Sequence, residues 1–255
     1  MNIDISDFNK DFVFNILNIY NFKKKGIFYK YFNFIKNNHN KIKGDIYEMG
    51  VYDANLLLSL SIFLKKIGSN KTIYGFDTFS GFPKFSREDE IENFEFLFKN
   101  KKISKKHYDT IKLNLKILKF LRNKKKFNPN NISSAKNFNI DVHEIRKKIK
   151  FLGLDNIKLI KGDFTNSFPS FFNRNKSKKI FAINMDCDLY KSYKILPLIY
   201  KKMNKGAFCH LDEYYSLKFP GPLIACNEFL EKFKNVKLNK FKLSSGDFDR
   251  YYFRK

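Results

Sequence analysis

Apolar and polar positions along this chain switch between a helical period and a strand period, and the switches mark its elements. Over residues 8–38, apolar side chains recur at mixed helical spacing (Phe12, Phe14, Ile16, Leu17, Tyr20, then Phe28, Tyr31, Phe32, Ile35). This predicts one or two leading helices, expected to cover a sheet edge or a neighbouring subunit. Residues 45–49 read as a short strand, 50–54 as a turn around Gly50, and the following apolar run as a helix that stops near Gly68. A second strand over 71–77 leads into the loop TFSGFPKF, whose Gly81 and Pro83 forbid regular structure.

A helix-prone run over 88–121 gives way to FNPNNISSAKNFN, a polar stretch without periodicity that is expected to be irregular. A segment of that length inside a compact domain is characteristic of a lid, so residues 86–139 are assigned as an insertion over the active site. Asp141 is placed to cap a helix ending at Gly153, and NIKLIKGDF supplies the third strand. KKIFAINMDCDLY is a fourth, apolar strand ending in acids; SYKILPLIYKKMNKG reads as a helix closed by Gly206; AFCHLDEY is a fifth strand, again ending in acids. The alternating tail over 236–253, ending in FDRYYF, predicts a terminal antiparallel hairpin. Strands alternating with helices imply an α/β fold with a mostly parallel sheet, whose ligands lie at the carboxyl ends of the strands. One domain over 1–255 is expected, with residues 1–40 as a helical N-terminal extension.

Composition narrows the function classes. The chain has 255 residues, and a hydrophobic fraction of 43% is ample for a large core. No apolar run is long enough to span a bilayer and the N-terminus is too polar for a signal peptide, so a cytoplasmic protein without a membrane span is expected. Cys187, Cys209 and Cys226 form no CxxC pair, which argues against a disulfide framework or a zinc knuckle. The formal net charge of +25 raises the prospect of nucleic-acid binding. Lysine dominates, however, and Arg87, Arg122, Arg146, Arg174, Arg250 and Arg254 are scattered rather than clustered for base contacts, so no nucleic-acid partner is expected. The excess would instead steer an anionic small substrate, such as a diphosphate-linked sugar.

The acids carry the chemistry. Glu48 lies at the end of the first strand, Asp77 ends the second, Asp163 follows the third, Asp186 and Asp188 end the fourth, and Asp212 with Glu213 ends the fifth. Taken singly, Glu48, Asp77 and Asp163 read as turn or cap residues. The pairs Asp186/Asp188 and Asp212/Glu213 are different: four carboxylates at neighbouring strand ends would repel one another and have raised pKa values unless a cation offset them. A hard divalent cation such as Mg2+ fits that requirement.

The strings GFDTFSGFP (75–83), KGDF with a following SFP (161–169), MDCDLYKS (185–192) and LDEY (211–214) occur in that order. Together they resemble the macrocin O-methyltransferase family of class I S-adenosylmethionine-dependent sugar O-methyltransferases, over roughly residues 42–233. The resemblance implies a Rossmann-like methyltransferase sheet and S-adenosylmethionine as cofactor. It implies Asp186, Asp212 and Glu213 as metal ligands and Asp188 as general base. Glu213 stands where the family has a shorter Asp. For the cofactor it implies Glu48, Gly50, Tyr52, Asp77, Thr78, Asp163, Phe164 and Asp186, with Asp77 at the ribose and Asp163 and Phe164 at the adenine. Similar enzymes carry Glu-x-Gly-Val-x-x-Gly at the first turn, whereas this chain has Ala54 in the last place. The backbone at Asp53 or Ala54 is therefore expected to adopt an ordinary conformation, or the turn to differ.

The acceptor implied is a sugar hydroxyl, with a nucleotide-activated sugar for a bacterial surface polysaccharide as the working expectation and a homo-oligomer left open. A catechol-type O-methyltransferase, a basic nucleic-acid-binding module and a non-catalytic relative are the alternatives. Among the histidines, His107 is retained as a candidate for acceptor contact and His210 as a packed strand residue; Phe82 and Tyr214 are candidates for an acceptor pocket.

Overall fold

A computed structural model describes residues 10–124, 126–133, 141–241 and 248–255. The chain enters through α1 (Asp11–Ile16) and α2 (Tyr29–Asn38), then builds β1 (Asp45–Met49), α3 (Asn55–Lys66) and β2 (Ile73–Asp77). The excursion that follows contains a 3-10 turn (Arg87–Asp89), α4 (Asn93–Lys99), α5 (Lys105–Arg122) and α6 (Pro129–Ile132). The chain returns through α7 (Val142–Phe151), β3 (Ile157–Lys161), α8 (Phe164–Arg174), β4 (Ile180–Met185), α9 (Tyr190–Tyr193), α10 (Leu196–Lys202) and β5 (Met203–Leu211). It ends with α11 (Gly221–Lys232), β6 (Asn239–Phe241) and β7 (Arg250–Arg254).

The seven strands form one sheet in the order β3-β2-β1-β4-β5-β7-β6. The first five are parallel, and β7 runs antiparallel to both β5 and β6. All five acid-bearing strand ends therefore lie side by side on one rim. β1 and β4 are buried on both faces because helices cover both sides of the sheet. On one face α2 and α3 pack over Ile46, Phe181, Ala182 and Phe208. On the other, α8 brings Phe168, Phe171 and Phe172 against Tyr47, Tyr74 and Phe76. Phe164, Phe168, Phe171 and Phe172 recur at the helical spacing i, i+4, i+7, i+8, so one stripe of α8 is aromatic. Burying each such ring is worth about 1.5–3 kcal/mol, which anchors the helix and fixes its first residue, Phe164, at the rim.

Several elements differ from their sequence expectation. α2 covers the centre of the sheet rather than an edge: Phe34 packs on Phe181 of β4 and Phe208 of β5. Residues 203–206 extend β5 instead of ending a helix at Gly206, because Met203 pairs with Ile180 while α10 stops at Lys202. The stretch expected to be irregular contains α6, opened by a reciprocal capping box between Asn128 and Asn131. Residues 125 and 134–139 of the expected lid lie outside the described residues. The rest of the insertion is mainly helical, with Phe94, Leu97, Ile103 and Ile111 packed against Leu223 of α11.

Candidate active site

The turn after β1 opens the site. Gly50 has φ +90°, and a Cβ there would collide with the Asp186 carbonyl oxygen, so this position requires glycine. Val51 and Tyr52 donate backbone N–H bonds to Asp77 Oδ2 at 2.8 and 3.0 Å, and Phe79 N donates to Asp77 Oδ1 at 2.7 Å. Asp77 thus fastens the β1 turn to the loop after β2. The expectation of an ordinary conformation is overturned at Ala54, which adopts the left-handed conformation open to glycine, with φ 64° and ψ 21°. The Asn55 N–H bond to Asp53 Oδ1 (3.1 Å) helps to hold the turn.

A cavity of about 710 Å³ lies above the rim. Of the residues anticipated from sequence, it brings together Gly50, Tyr52, Asp77, Thr78, Phe164, Asp186, Asp188, Asp212 and Glu213 on its wall. The Thr78 hydroxyl donates to the Gly81 carbonyl at 2.6 Å, shaping the loop that also gives Phe82 to the wall. Two anticipated residues are placed elsewhere. Glu48 is buried beneath the wall. Asp163 caps α8, accepting from Thr165 N (2.9 Å) and Thr165 Oγ1 (2.7 Å) through Oδ1. Neither Tyr214 nor His107 lines the cavity. His107 instead packs on Tyr215, with Nε2 3.1 Å from the Ser216 carbonyl, and joins α5 to the loop after β5.

Asp186, Asp212 and Glu213 each bring one carboxylate oxygen to within 4.8 Å of the others. Burial, followed by the charge of Asp212, pushes Asp186 well above the usual carboxylate range. Burial, then Glu213 and Asp212, does the same to Asp188. Burial and the charge of Asp212 push Glu213 up to about 7. Asp212 goes the other way: burial raises it, but the Arg250 guanidinium and neighbouring His210 outweigh burial and hold it below the ordinary value. Arg250 Nε donates to Asp212 Oδ1 at 2.8 Å. Such a set of crowded hard oxygens, with Glu213 Oε2 buried and unpartnered among the described residues, fits a divalent cation. Asp188 itself has φ 58°, a left-handed conformation that strains most side chains and that Asp tolerates better than most.

Sequence reasoning missed Arg250, Lys218, Phe219, Phe248 and Ser133 on the wall. Arg250 lies 38 positions from Asp212, on a strand that pairs with β5, and the local signal was an arginine opening an aromatic run.

The sheet order, the antiparallel last hairpin and a cavity above the parallel strand ends define a class I methyltransferase. The sequence model of the macrocin-O-methyltransferase (TylF) family matches residues 122–255, and the chain belongs to that family, whose fold and activity are those of S-adenosylmethionine-dependent sugar O-methyltransferases. Among solved structures, the chain is similar to the calicheamicin methyltransferase CalS11. TM-score is 0.59 and identity 18%, with 98% of this chain and 79% of that one covered. It is also similar to the O-methyltransferase NovP, at a TM-score of 0.58 and 17% identity, with 89% and 79% covered. The O-methyltransferase TomG from Streptomyces achromogenes, in complex with S-adenosylmethionine, aligns at a TM-score of 0.50 and 8% identity over 98% of this chain and 87% of that one. No curated protein matches the chain in sequence. No helix among the described residues is long and apolar enough to cross a membrane.

Proposed function

We propose that the chain methylates a hydroxyl of a nucleotide-activated sugar, with a divalent cation such as Mg2+ held by Asp186, Asp212 and Glu213. The observation that carries this reading is the approach of those three carboxylates within 4.8 Å on the wall of a cavity shared with Asp188 and the Gly50 turn. Gly50, Tyr52, Asp77, Thr78 and Phe164 form the part of the wall that would receive S-adenosylmethionine, with Phe164 offering an apolar face to the adenine. Asp163, adjacent to it, would serve through backbone placement or its second oxygen, and Glu48 from beneath.

Methyl transfer is an in-line displacement. Asp188 would take the proton from the acceptor hydroxyl, and S-adenosylmethionine, held by Gly50, Tyr52, Asp77, Thr78 and Phe164, would supply the methyl group to the acceptor oxygen and leave as a neutral thioether. Burial and its acidic neighbours raise the proton affinity of Asp188, and the charge of a bound cation would favour the ionised form in which it can act as the base. When bound, the cation supplies positive charge that stabilises an ionised acceptor oxygen. The cavity walls would hold donor and acceptor together, a positioning effect worth up to ~7–11 kcal/mol in favourable cases.

Two features support an anionic acceptor. Lys218 lies on the cavity wall, where its charge acts on both Asp188 and Glu213, and the net charge of +25 draws anions toward the protein. CalS11 is described as a TDP-rhamnose 3'-O-methyltransferase, and its apo structure aligns at a TM-score of 0.52 and 20% identity, covering 88% of this chain and 77% of that one. Incubation with S-adenosylmethionine, Mg2+ and panels of nucleoside-diphosphate sugars, free sugars and catechols, followed by mass spectrometry, tests the proposal. A one-methyl gain confined to nucleotide sugars is expected; methylation of catechols alone would overturn it.

A further inference from the structure

Two residues back from the site, along each of three adjacent strands, stands a buried polar residue. Glu48 precedes Gly50, Asn184 precedes Asp186 and His210 precedes Asp212. The parallel register sets them side by side, Glu48 opposite Asn184 and Asn184 opposite His210. Residues two apart share a face of a sheet, so this row lies directly beneath Gly50, Asp186 and Asp212. α2 and the residue before it cover the His210 end, with the Tyr31 and Phe28 rings 6.1 and 5.4 Å from the His210 ring.

The row is buried by position and polar by composition. Exposure is 2% at Glu48, 0% at Asn184 and 2% at His210. Glu48 Oε2, both Asn184 amide atoms, His210 Nε2 and the Tyr31 hydroxyl are buried without a hydrogen-bond partner among the described residues. Unpaired polar atoms in a core cost stability, and apolar side chains of similar size would remove that cost. Their gathering on one row beneath the site points to a task there. His210 Nε2 stands 3.5 Å from Asp212 Oδ1, the oxygen that Arg250 Nε takes from another side.

We propose that Glu48, Asn184 and His210 form a hydrogen-bonded row, completed by ordered water or small side-chain rotations, that holds the imidazole against Asp212 Oδ1 and so orients the Asp212 carboxylate for a divalent ion. Asn184 and His210 are then positioning residues, and the inference rests on the cation reading given under Proposed function. One Asp212 oxygen is fixed by Arg250 and His210 together, which leaves the lone pairs of the other for the ion. Asn184 has both a donor and an acceptor, as the central member of such a row must. Partners of this kind typically alter metal affinity about 10- to 100-fold when removed.

The test uses the full chain and Mn2+ as probe, with calorimetric titration of Mn2+ and of S-adenosylmethionine, and thermal melts in the absence of metal. Asn184→Leu and His210→Leu are expected to weaken Mn2+ binding about 10- to 100-fold while S-adenosylmethionine affinity stays at the wild-type value. His210→Gln, whose amide nitrogen reaches the place of Nε2, is expected to retain most of the affinity. It also carries the test, with Asn184→Leu, should His210→Leu fail to fold. Wild-type Mn2+ affinity in Asn184→Leu together with an unchanged or raised melting temperature would make the row a packing feature and overturn the proposal. Absence of Mn2+ binding by the wild-type chain would overturn the cation reading itself, and this inference with it.

Discussion

Arg250, on the last strand, donates from Nε to Asp212 Oδ1 at 2.8 Å, and the two side chains are 6% and 7% exposed. The pair keeps Asp212 ionised in a place where Asp186, Asp188 and Glu213 all lean toward the protonated form. It thereby sets which carboxylate anchors the cluster.

Removing the guanidinium should leave a buried carboxylate uncompensated. Arg250→Gln is expected to lower metal-free stability by about 3–5 kcal/mol, the usual consequence of breaking a buried pair by one partner. Added Mg2+ is expected to restore part of the loss, because it supplies a replacement charge. Urea melts with chelator and with Mg2+ measure this, and a wild-type midpoint in chelator would show that the pair contributes nothing.

Asp188→Asn retains size and hydrogen-bonding capacity, and Asn shares the tolerance of Asp for the left-handed backbone at this position. The fold and S-adenosylmethionine binding should therefore survive while turnover falls by ~10²–10⁴, the range attributed to a positioned proton acceptor. Calorimetry and single-turnover rates separate the two, and near-normal turnover would exclude Asp188 as the base.

At Ala54 the chain holds a methyl side chain in glycine's conformation. Left-handed backbone costs a non-glycine residue about 1–2 kcal/mol, while glycine adds roughly 0.5–1 kcal/mol of entropy loss on folding. Ala54→Gly is accordingly expected to leave stability unchanged or raise it by up to about 1 kcal/mol. Cofactor affinity should be preserved, as glycine readily takes the left-handed conformation already present at this position. A clear drop in melting temperature would mean that the methyl group, buried at 0% exposure, matters more through packing than through strain.

The acid cluster also predicts a pH dependence. Glu213 titrates near 7 in the folded protein against an ordinary 4.5, and Asp186 and Asp188 are displaced in the same direction. Between those two values the folded chain binds more protons than the unfolded chain, so metal-free stability should fall as pH rises from about 5 through 7. Asp212, displaced downward, contributes the opposite slope only at lower pH. A bound divalent ion favours the ionised carboxylates and should flatten or reverse the decline. Denaturation midpoints at pH 5.5 and 8, with chelator and with Mg2+, measure it; a midpoint that rises with pH in chelator would contradict the assignment.

Much of this architecture was readable from the chain. β1 spans the residues that the apolar pattern marked, and Asp141 caps α7 as its spacing before an amphipathic run required. The acids were legible because a carboxylate closing an apolar strand has a fixed address once the strand is known to be parallel. Two of them nevertheless behave as turn chemistry alone would have them: Asp163 spends Oδ1 on capping α8, and Asp77 ties two loops together.

What the sequence by itself determined is the order of strands and helices and the rim that collects Asp77, Asp186, Asp188, Asp212 and Glu213, because periodicity and turn residues act over a few neighbouring positions. The tertiary structure alone decided that Arg250 lies beside Asp212, that Glu48, Asn184 and His210 form one buried row, and that Ala54 is held in a left-handed turn. Those outcomes depend on strand register and on the desolvation of one side chain by others far along the chain. Both quantities exist only after the sheet has assembled.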